Sequence, residues 1–195
     1  MLMVYHSKQY FSFWKSNKDT DVIHGDIKPQ NVLVFKDATG NTTVKVADFG
    51  YATLFAGGEA GRIFLPKSRP WNAPEHHFGE FTLTEAKKTD VYSFGLLCLW
   101  VLFSNGLSNI WSLSTKYGTE SVSFHASVGQ HTVLEQLKYD DQVKCIAIRH
   151  VQSVPYMKAE HKIRLKEFFS LTIALNPAKR TPDLGKLVGL LSYNQ

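Results

Sequence analysis

Cysteine is scarce in this sequence, since Cys98 and Cys145 are the only two among 195 residues. Two thiols cannot make the framework of bridges that stabilises small secreted domains, and neither has metal-ligand spacing to any of the eight histidines. The sequence therefore argues against a disulfide scaffold and against a zinc site. We expect a reducing intracellular compartment, and the cytoplasm in particular.

Long apolar stretches are also lacking. The longest one runs from residue 91 to residue 103, which is short of the roughly 20 residues that cross a bilayer. The N-terminus has no early basic region followed by an uninterrupted apolar stretch, so a secretory signal is not expected. We predict that a membrane is not among the partners of this chain.

Neither sign of charge dominates the composition. Lys and Arg number 22 and Asp and Glu number 17, which gives a net charge of +5. Because the charges form no long block, we do not expect nucleic acid as a partner. The basic excess indicates either an unspecialised surface or one that suits acidic or phosphorylated ligands.

The distribution of apolar residues predicts a mainly α fold with a small β-hairpin. With 44% hydrophobic residues and no linker or repeat, residues 1–195 should form one domain. Two short β-branched runs, residues 31–35 and 43–47, flank a glycine-containing turn, which is typical of a hairpin. From residue 51 to residue 72 no period is sustained, so an extended segment is expected there.

Helices are predicted in the rest of the chain. Residues 91–103 are hydrophobic on every side, which predicts a central helix with Thr89 as its N-cap. Thr181 followed by Pro182 predicts the start of a last helix. Apolar periodicity predicts further helices at residues 1–20, 133–137, 143–151 and 162–175.

Five short motifs follow one another along the chain. The first, residues 24–31, reads HGDIKPQN. The others are DFG at residues 48–50, APE at residues 73–75, DVYSFG at residues 90–95 and NPAKRTP around Arg180. In this order the motifs resemble those of eukaryotic-type Ser/Thr protein kinases. The pattern H-x-D-x-K-P-x-N alone arises by chance at fewer than roughly one in a million positions, so the resemblance is specific.

The resemblance implies a phosphotransfer site built on the first two motifs. Asp26 would orient the substrate hydroxyl or accept its proton, and Lys28 would offset charge on the transferred phosphoryl group. Asn31 and Asp48 would hold Mg²⁺, a hard cation that prefers oxygen ligands. The expected cofactors are therefore ATP and Mg²⁺, and the expected partner is a protein substrate with Ser or Thr.

Other implied roles concern the seating of the reactants. Leu33 resembles the residue that forms the floor under the adenine, and Ser68 would help to seat the substrate hydroxyl. His24 and Phe49 resemble members of the apolar column that links the two lobes of a kinase. On this basis His24 is a packing residue and not a base.

The resemblance also implies the internal supports of the site. Residues 24–31 would be the catalytic loop, and Asp90 would accept backbone hydrogen bonds from it. The activation segment would span residues 48–75. Its last residue, Glu75, would form a largely buried ion pair with Arg180.

Two departures from the family pattern have consequences. Gly25 stands where many kinases have an Arg that receives the activation-segment phosphate, so activation by phosphorylation would lose its main acceptor. Residues 1–23 contain no glycine, and they are fewer than the roughly 60 residues that an N-terminal lobe needs. We therefore expect a C-terminal lobe without its N-terminal lobe. Such a chain should be inactive alone, and a partner should cover its exposed N-lobe-facing surface.

Two other functions stay open. A pseudokinase-like module would bind a partner without turnover. Small-molecule phosphotransferases of the aminoglycoside or choline type also use HGD. They typically have His where Lys28 stands, and they lack the APE segment and the DVYSFG helix, so the kinase hypothesis accounts for more of the motifs.

Overall fold

The computed structural model describes residues 20–56, 61–103, 134 and 136–192. The helix predicted within residues 1–20 lies almost entirely outside this described part. Gly57, Gly58 and residue 133 also lie outside the described part. Residues 136–139, at the end of the helix predicted at residues 133–137, are helical.

Four short strands form two separate antiparallel pairs: β1 (Thr20–Ile23), β2 (Val32–Lys36), β3 (Thr42–Val46) and β4 (Thr53–Ala56). The pair β2–β3 is the predicted hairpin, with each strand displaced by one residue from its expected bounds. Its turn is closed by Asp37, whose Oδ1 accepts the backbone N–H groups of Thr39 and Asn41 at 2.9 Å each. The small β-hairpin predicted from the sequence is thus confirmed.

The second pair, β1–β4, was not predicted. Its strands lie on either side of the hairpin in sequence, with Thr20 opposite Ala56 and Ile23 opposite Thr53. Four-residue strands carry too few positions to show an alternating pattern, and their pairing depends on contacts far apart in the chain. Residues 53–56 are extended, as expected after residue 51, but their pairing with β1 was not predicted.

The described chain also contains four longer helices: α1 (Leu83–Leu102), α2 (Gln142–Ser153), α3 (Ala159–Thr172) and α4 (Leu184–Leu191). Helices α2 and α3 overlap the predicted ranges 143–151 and 162–175. No helix in the described ranges combines the length and apolar character that a bilayer-spanning segment requires. The fold is mainly α, as the composition and periodicity predicted.

Helix α1 begins earlier than predicted. Its N-cap is Thr82, which forms a capping box with Glu85, and Thr89 lies inside the helix with its hydroxyl donating to the carbonyl of Ala86 at 2.7 Å. The prediction failed because the first two turns are rich in charged residues and show no apolar period. The Thr-x-x-Glu signature was the signal available in the sequence.

Helix α4 begins later than predicted. Asp183 is its N-cap and accepts the backbone N–H of Lys186 at 3.0 Å, whereas Thr181 lies before the helix and accepts the N–H of Asp183 at 3.2 Å. A carboxylate is favoured at this place because it satisfies an unpaired N–H group and complements the helix dipole.

The core surrounds helix α1. At Gly95 this helix comes so close to the end of α3 that an added Cβ would lie 2.5 Å from Oγ1 of Thr172 and 2.6 Å from Cγ2 of Ile173. Glycine is therefore required by packing at this crossing. The largest apolar side chains buried around it are Tyr92, Leu96, Leu99, Phe168, Phe169 and Leu187.

Arg180 joins the loop before α1 to the segment after α3. Its guanidinium binds both carboxylate oxygens of Glu75, with Nη2 at 2.9 Å from Oε2. It also donates to the carbonyls of Ala174 at 2.7 Å, Leu175 at 3.0 Å and Lys88 at 3.2 Å. The Arg180 side chain is fully buried, so the ion pair is shielded from water.

We predict that the pair Glu75–Arg180 is strongly coupled. Glu75→Gln or Arg180→Met alone leaves one buried charge without its partner and should lower the free energy of unfolding by about 3–5 kcal/mol. The double variant should lose much less than the sum of the two. Unfolding in urea, which does not screen charges, gives the coupling energy.

The control is the exposed pair Arg62–Glu80, whose side chains are 72% and 43% exposed. Arg62→Met and Glu80→Gln should show a coupling of about 0.2–1 kcal/mol. A coupling between Glu75 and Arg180 no larger than this would contradict the structural role assigned to them.

Candidate functional site

The loop of residues 24–31 is attached to helix α1 by one buried carboxylate. Oδ2 of Asp90 accepts the backbone N–H of His24 at 2.7 Å, and Oδ1 accepts that of Gly25 at 2.9 Å. Burial first, and then the nearby charge of Asp26, raise the pKa of Asp90 to about 7 against the effect of these two N–H groups. The ionised form makes both hydrogen bonds, so Asp90 fixes the backbone just before Asp26.

Gly25 allows the loop to turn under the activation segment. Its φ is +78°, in the left-handed region that favours glycine. A Cβ at this position would lie 3.1 Å from Cδ2 of Leu65, 3.4 Å from the carbonyl oxygen of Tyr51 and 3.5 Å from Cδ of Pro66. Apolar packing therefore occupies the space into which an arginine side chain would project.

Asp26 is buried and held by two neighbours from its own loop. Its Oδ2 accepts from Nζ of Lys28 at 2.7 Å and from Nδ2 of Asn31 at 3.1 Å. Burial alone would raise the pKa of Asp26, but hydrogen bonds from Lys28 and from Ser68, the Lys28 charge and the Asn31 amide together lower it below its ordinary value. Oδ1 of Asp26 has no hydrogen-bond partner among the described residues, so the Ser68 hydroxyl acts on this carboxyl from beyond hydrogen-bond distance.

Ser68 is fixed by its own backbone. Its carbonyl oxygen accepts the N–H groups of Trp71 at 2.8 Å and Asn72 at 3.2 Å, which closes a turn at the end of the activation segment. The half-buried Ser68 hydroxyl faces the carboxyl of Asp26 closely enough to contribute to its lowered pKa. The structure thus brings Asp26, Lys28 and Ser68 together.

Asn31 and Asp48 are brought together by the start of the hairpin. The carbonyl of Asn31 accepts the N–H of Ala47 at 2.8 Å, and Asp48 follows directly with a φ of 63°. Nδ2 of Asn31 donates to Asp26, which leaves its Oδ1 for another ligand, and Asp48 is exposed, with Oδ1 accepting the N–H of Gly50 at 3.2 Å.

The chemistry of these two oxygen donors fits Mg²⁺. A carboxylate and an amide oxygen are hard ligands, and Mg²⁺ usually takes only one or two groups from a protein and completes its shell with water and phosphate. In keeping with this, the described residues contain no group of three or more His, Cys, Asp or Glu side chains that could hold a metal by itself.

His24 makes contacts typical of a packing residue. Its Nδ1 accepts the N–H of Asp26 at 3.2 Å and its Nε2 lies 3.0 Å from the carbonyl oxygen of Ala47, so one neutral tautomer satisfies both. Burial lowers the pKa of His24, which favours that neutral form. The ring packs edge-to-face on Phe49, with centroids 5.2 Å apart.

Leu33 and Phe49 lie at the exposed face above this loop. Their side chains are 45% and 44% exposed, which is high for large apolar groups that neighbour a buried loop. Leu33 lies in β2 two residues after Asn31, and Phe49 directly follows Asp48, so each exposed apolar residue is close in sequence to one of the oxygen donors.

Three buried polar residues near the site were not predicted as a group: Asn72, His76 and Lys138. Nζ of Lys138 donates to the carbonyl of Asn72 at 2.9 Å, and neither ring nitrogen of His76 has a hydrogen-bond partner. The sequence treats His76 as an ordinary histidine, and its burial agrees with that. No local pattern marks Lys138, because its burial depends on a partner 66 positions away.

We predict that Gly25→Ala destabilises the chain more than Gly40→Ala does. Both glycines have positive φ, +78° and +83°, but a Cβ at Gly40 meets nothing within 4 Å. Gly40→Ala should therefore cost only the backbone strain, about 1–2 kcal/mol, whereas Gly25→Ala should add about 1–3 kcal/mol of overpacking against Leu65. Urea unfolding measures both, and equal losses would show that the activation segment does not pack on Gly25.

Comparison with known proteins extends the resemblance to protein kinases from the short motifs to most of the chain. Residues 14–182 match the protein kinase domain family. Serine/threonine-protein kinase chk1 of Schizosaccharomyces pombe is 29% identical over 156 residues, which cover 74% of this chain and 30% of that protein. Serine/threonine-protein kinase SIK1 of Rattus norvegicus is 28% identical over 145 residues, which cover 71% of this chain and 18% of that protein.

A third relative is U-box domain-containing protein 70 of Oryza sativa subsp. japonica, 32% identical over 135 residues, or 65% of this chain and 16% of that protein. The chain spans less than a third of the length of each of these relatives. Because the family match covers most of the sequence, the chain belongs to the protein kinase family.

Proposed function

We propose that the described residues form the C-terminal lobe of a kinase domain that transfers phosphate from Mg-ATP to Ser or Thr of a protein substrate. The observation that carries this proposal is the arrangement of Asp26, which is buried, ionised and hydrogen-bonded to Lys28 and Asn31 while Asp90 fixes its backbone. In this proposal residues 24–31 are the catalytic loop and residues 48–75 the activation segment of one domain.

Asp26 would orient the nucleophile. A carboxylate with a lowered pKa stays ionised at neutral pH, so it accepts a hydrogen bond from the substrate hydroxyl but is a weak base. Its main contribution is then to align the hydroxyl oxygen with phosphorus. The hydroxyl proton passes to Asp26 as the new O–P bond forms and the bond to the leaving phosphate oxygen breaks.

Lys28 would balance the charge in the same step. Its Nζ lies 2.7 Å from Asp26, where it can also contact a phosphoryl oxygen held beside that carboxylate. Bound Mg-ATP supplies the phosphoryl group, and Asp48 and Asn31 would be the metal's ligands from the chain. Ser68 would seat the substrate hydroxyl from the activation-segment side, and Leu33 would lie under the adenine.

The exposed apolar face supports two further parts of the proposal. A nucleotide held only from the side of Leu33, Asp48 and Asn31 lacks the positioning that phosphoryl transfer requires, so we expect a polypeptide of these 195 residues to be inactive alone. The exposure of Leu33 and Phe49 favours a partner or further lobe covering this face. It equally favours a second candidate function, a binding module without turnover.

We predict that Asp26→Asn abolishes transfer without preventing nucleotide binding. The domain is completed with its own upstream coding sequence or with the N-terminal lobe of a related kinase, and turnover of a generic Ser/Thr peptide is measured beside ATP affinity by calorimetry. Asp26→Asn should reduce turnover by about 10²–10⁴-fold and leave ATP affinity within about threefold.

Asp37→Asn, in the exposed hairpin turn, is the matched control and should be nearly as active as the parent. The uncompleted chain should give no transfer above the Asp26→Asn background. If Asp26→Asn retains most of the turnover, Asp26 does not have the role proposed for it. If the completed domain binds ATP without any transfer, the binding module replaces the kinase as the function.

A further inference from the structure

We infer that the substrates of this site carry acidic residues beside the phosphorylated Ser or Thr, and that Lys67 and Arg69 determine this specificity. The inference rests on the proposed function, because it concerns the substrate of the same site. Its basis is the position and the charge of the two residues on either side of Ser68.

The position of both residues follows from Ser68. Leu65 and Pro66, just before Lys67, would lie 3.1 and 3.5 Å from a Cβ on Gly25, the residue next to Asp26, and the carbonyl of Ser68 is fixed by the N–H groups of Trp71 and Asn72. A further backbone hydrogen bond, 3.1 Å long, joins the N–H of Arg69 to the carbonyl of Lys67. Lys67 and Arg69 thus flank Ser68 in a segment that packs beside the loop of Asp26, and both are exposed.

The charge of both residues is not neutralised within the part of the chain that the structure describes. Of the two described glutamates that follow this segment, Glu75 binds Arg180 and Glu80 binds Arg62. Neither Lys67 nor Arg69 forms an ion pair with a described carboxylate. Two cations held beside a binding site without counter-charges favour an anionic ligand.

A buried neighbour responds to the same positive charge. His76 has a pKa lowered to about 4, first because it is buried and then because of the charges of Lys138 and Lys67. Lys138 lies behind the segment and donates to the carbonyl of Asn72. The charges of Lys67 and Lys138 therefore both act on the buried ring of His76.

An acidic peptide is the ligand that this surface fits. Carboxylates can accept from the Lys67 ammonium and, in a bidentate manner, from the Arg69 guanidinium. Basic residues beside the phosphorylated hydroxyl would instead meet like charges. The surface therefore distinguishes substrates both by attraction and by repulsion.

The test compares three peptides on the completed kinase domain. They share one central Ser, flanked on both sides by Glu, by Ala or by Lys. We expect kcat/KM for the Glu peptide to exceed that for the Lys peptide by about tenfold or more at low salt, and the ratio to fall as salt is raised. The double variant Lys67→Ala/Arg69→Ala should bring the ratio to within about threefold, and Lys67→Glu/Arg69→Glu should invert it.

The matched control is Lys158→Ala/Lys179→Ala, which removes two exposed lysines elsewhere and should leave the ratio unchanged. Equal kcat/KM for all three peptides, or a ratio that the Lys67/Arg69 variants do not alter, would overturn the inference while leaving the proposed kinase function intact.

Peptide binding to the Asp26→Asn variant distinguishes a failure of the proposed kinase function from a failure of the inference about acidic substrates. Fluorescence anisotropy should show tighter binding of the Glu peptide than of the Lys peptide, lost in the Lys67→Ala/Arg69→Ala background. Such binding without transfer by the parent would contradict the kinase function but support the acidic ligand. Equal binding of both peptides would contradict the acidic ligand.

Discussion

The carboxylate of Asp90 lies inside the central helix and accepts the two backbone N–H groups that precede Asp26. Because a buried carboxylate is costly unless it is hydrogen-bonded, this contact fixes the loop and the helix relative to each other. The position of Asp26, the turn at Gly25 and the approach of Leu65 all follow from it. The site is therefore built outward from the hydrophobic core.

This arrangement places like charges close together. The charge of Asp26 raises the pKa of Asp90. The ionised form of either carboxyl would be unfavourable if its hydrogen-bond donors were removed. Lys28 offsets the charge of Asp26, and backbone N–H groups offset that of Asp90. Arg180 offsets the charge of Glu75 in the same way. Asp26, Asp90 and Glu75 thus each have their own hydrogen-bond donors. Positioning and charge balance, on which phosphoryl transfer depends, are thus supplied by the same contacts.

Motif spacing grouped Asp26, Lys28 and Asn31, which hydrogen bonds join in the structure, whereas periodicity placed the bounds of the helices less well. The spacing of residues within a motif, such as Asp26 to Asn31, does not depend on where the helices are predicted to begin or end. The hairpin was predicted from its own turn residues. The early start of α1 was missed because its first turns are charged, although the capping box was present. The pair β1–β4 and the buried Lys138 depend on partners distant in sequence, which local patterns do not encode.

Hydrogen exchange in an Asp90→Asn variant tests the account most directly. An Asn side chain has only one acceptor oxygen for two N–H groups, so at least one of the His24 and Gly25 amides loses its partner. Exchange at these amides should accelerate by about tenfold or more relative to the core of α1, since a lost buried hydrogen bond costs about 1–3 kcal/mol. Asp183→Asn, which preserves an N-cap, should leave both amides unchanged. Unaltered protection of His24 and Gly25 in the Asp90→Asn variant would contradict the account.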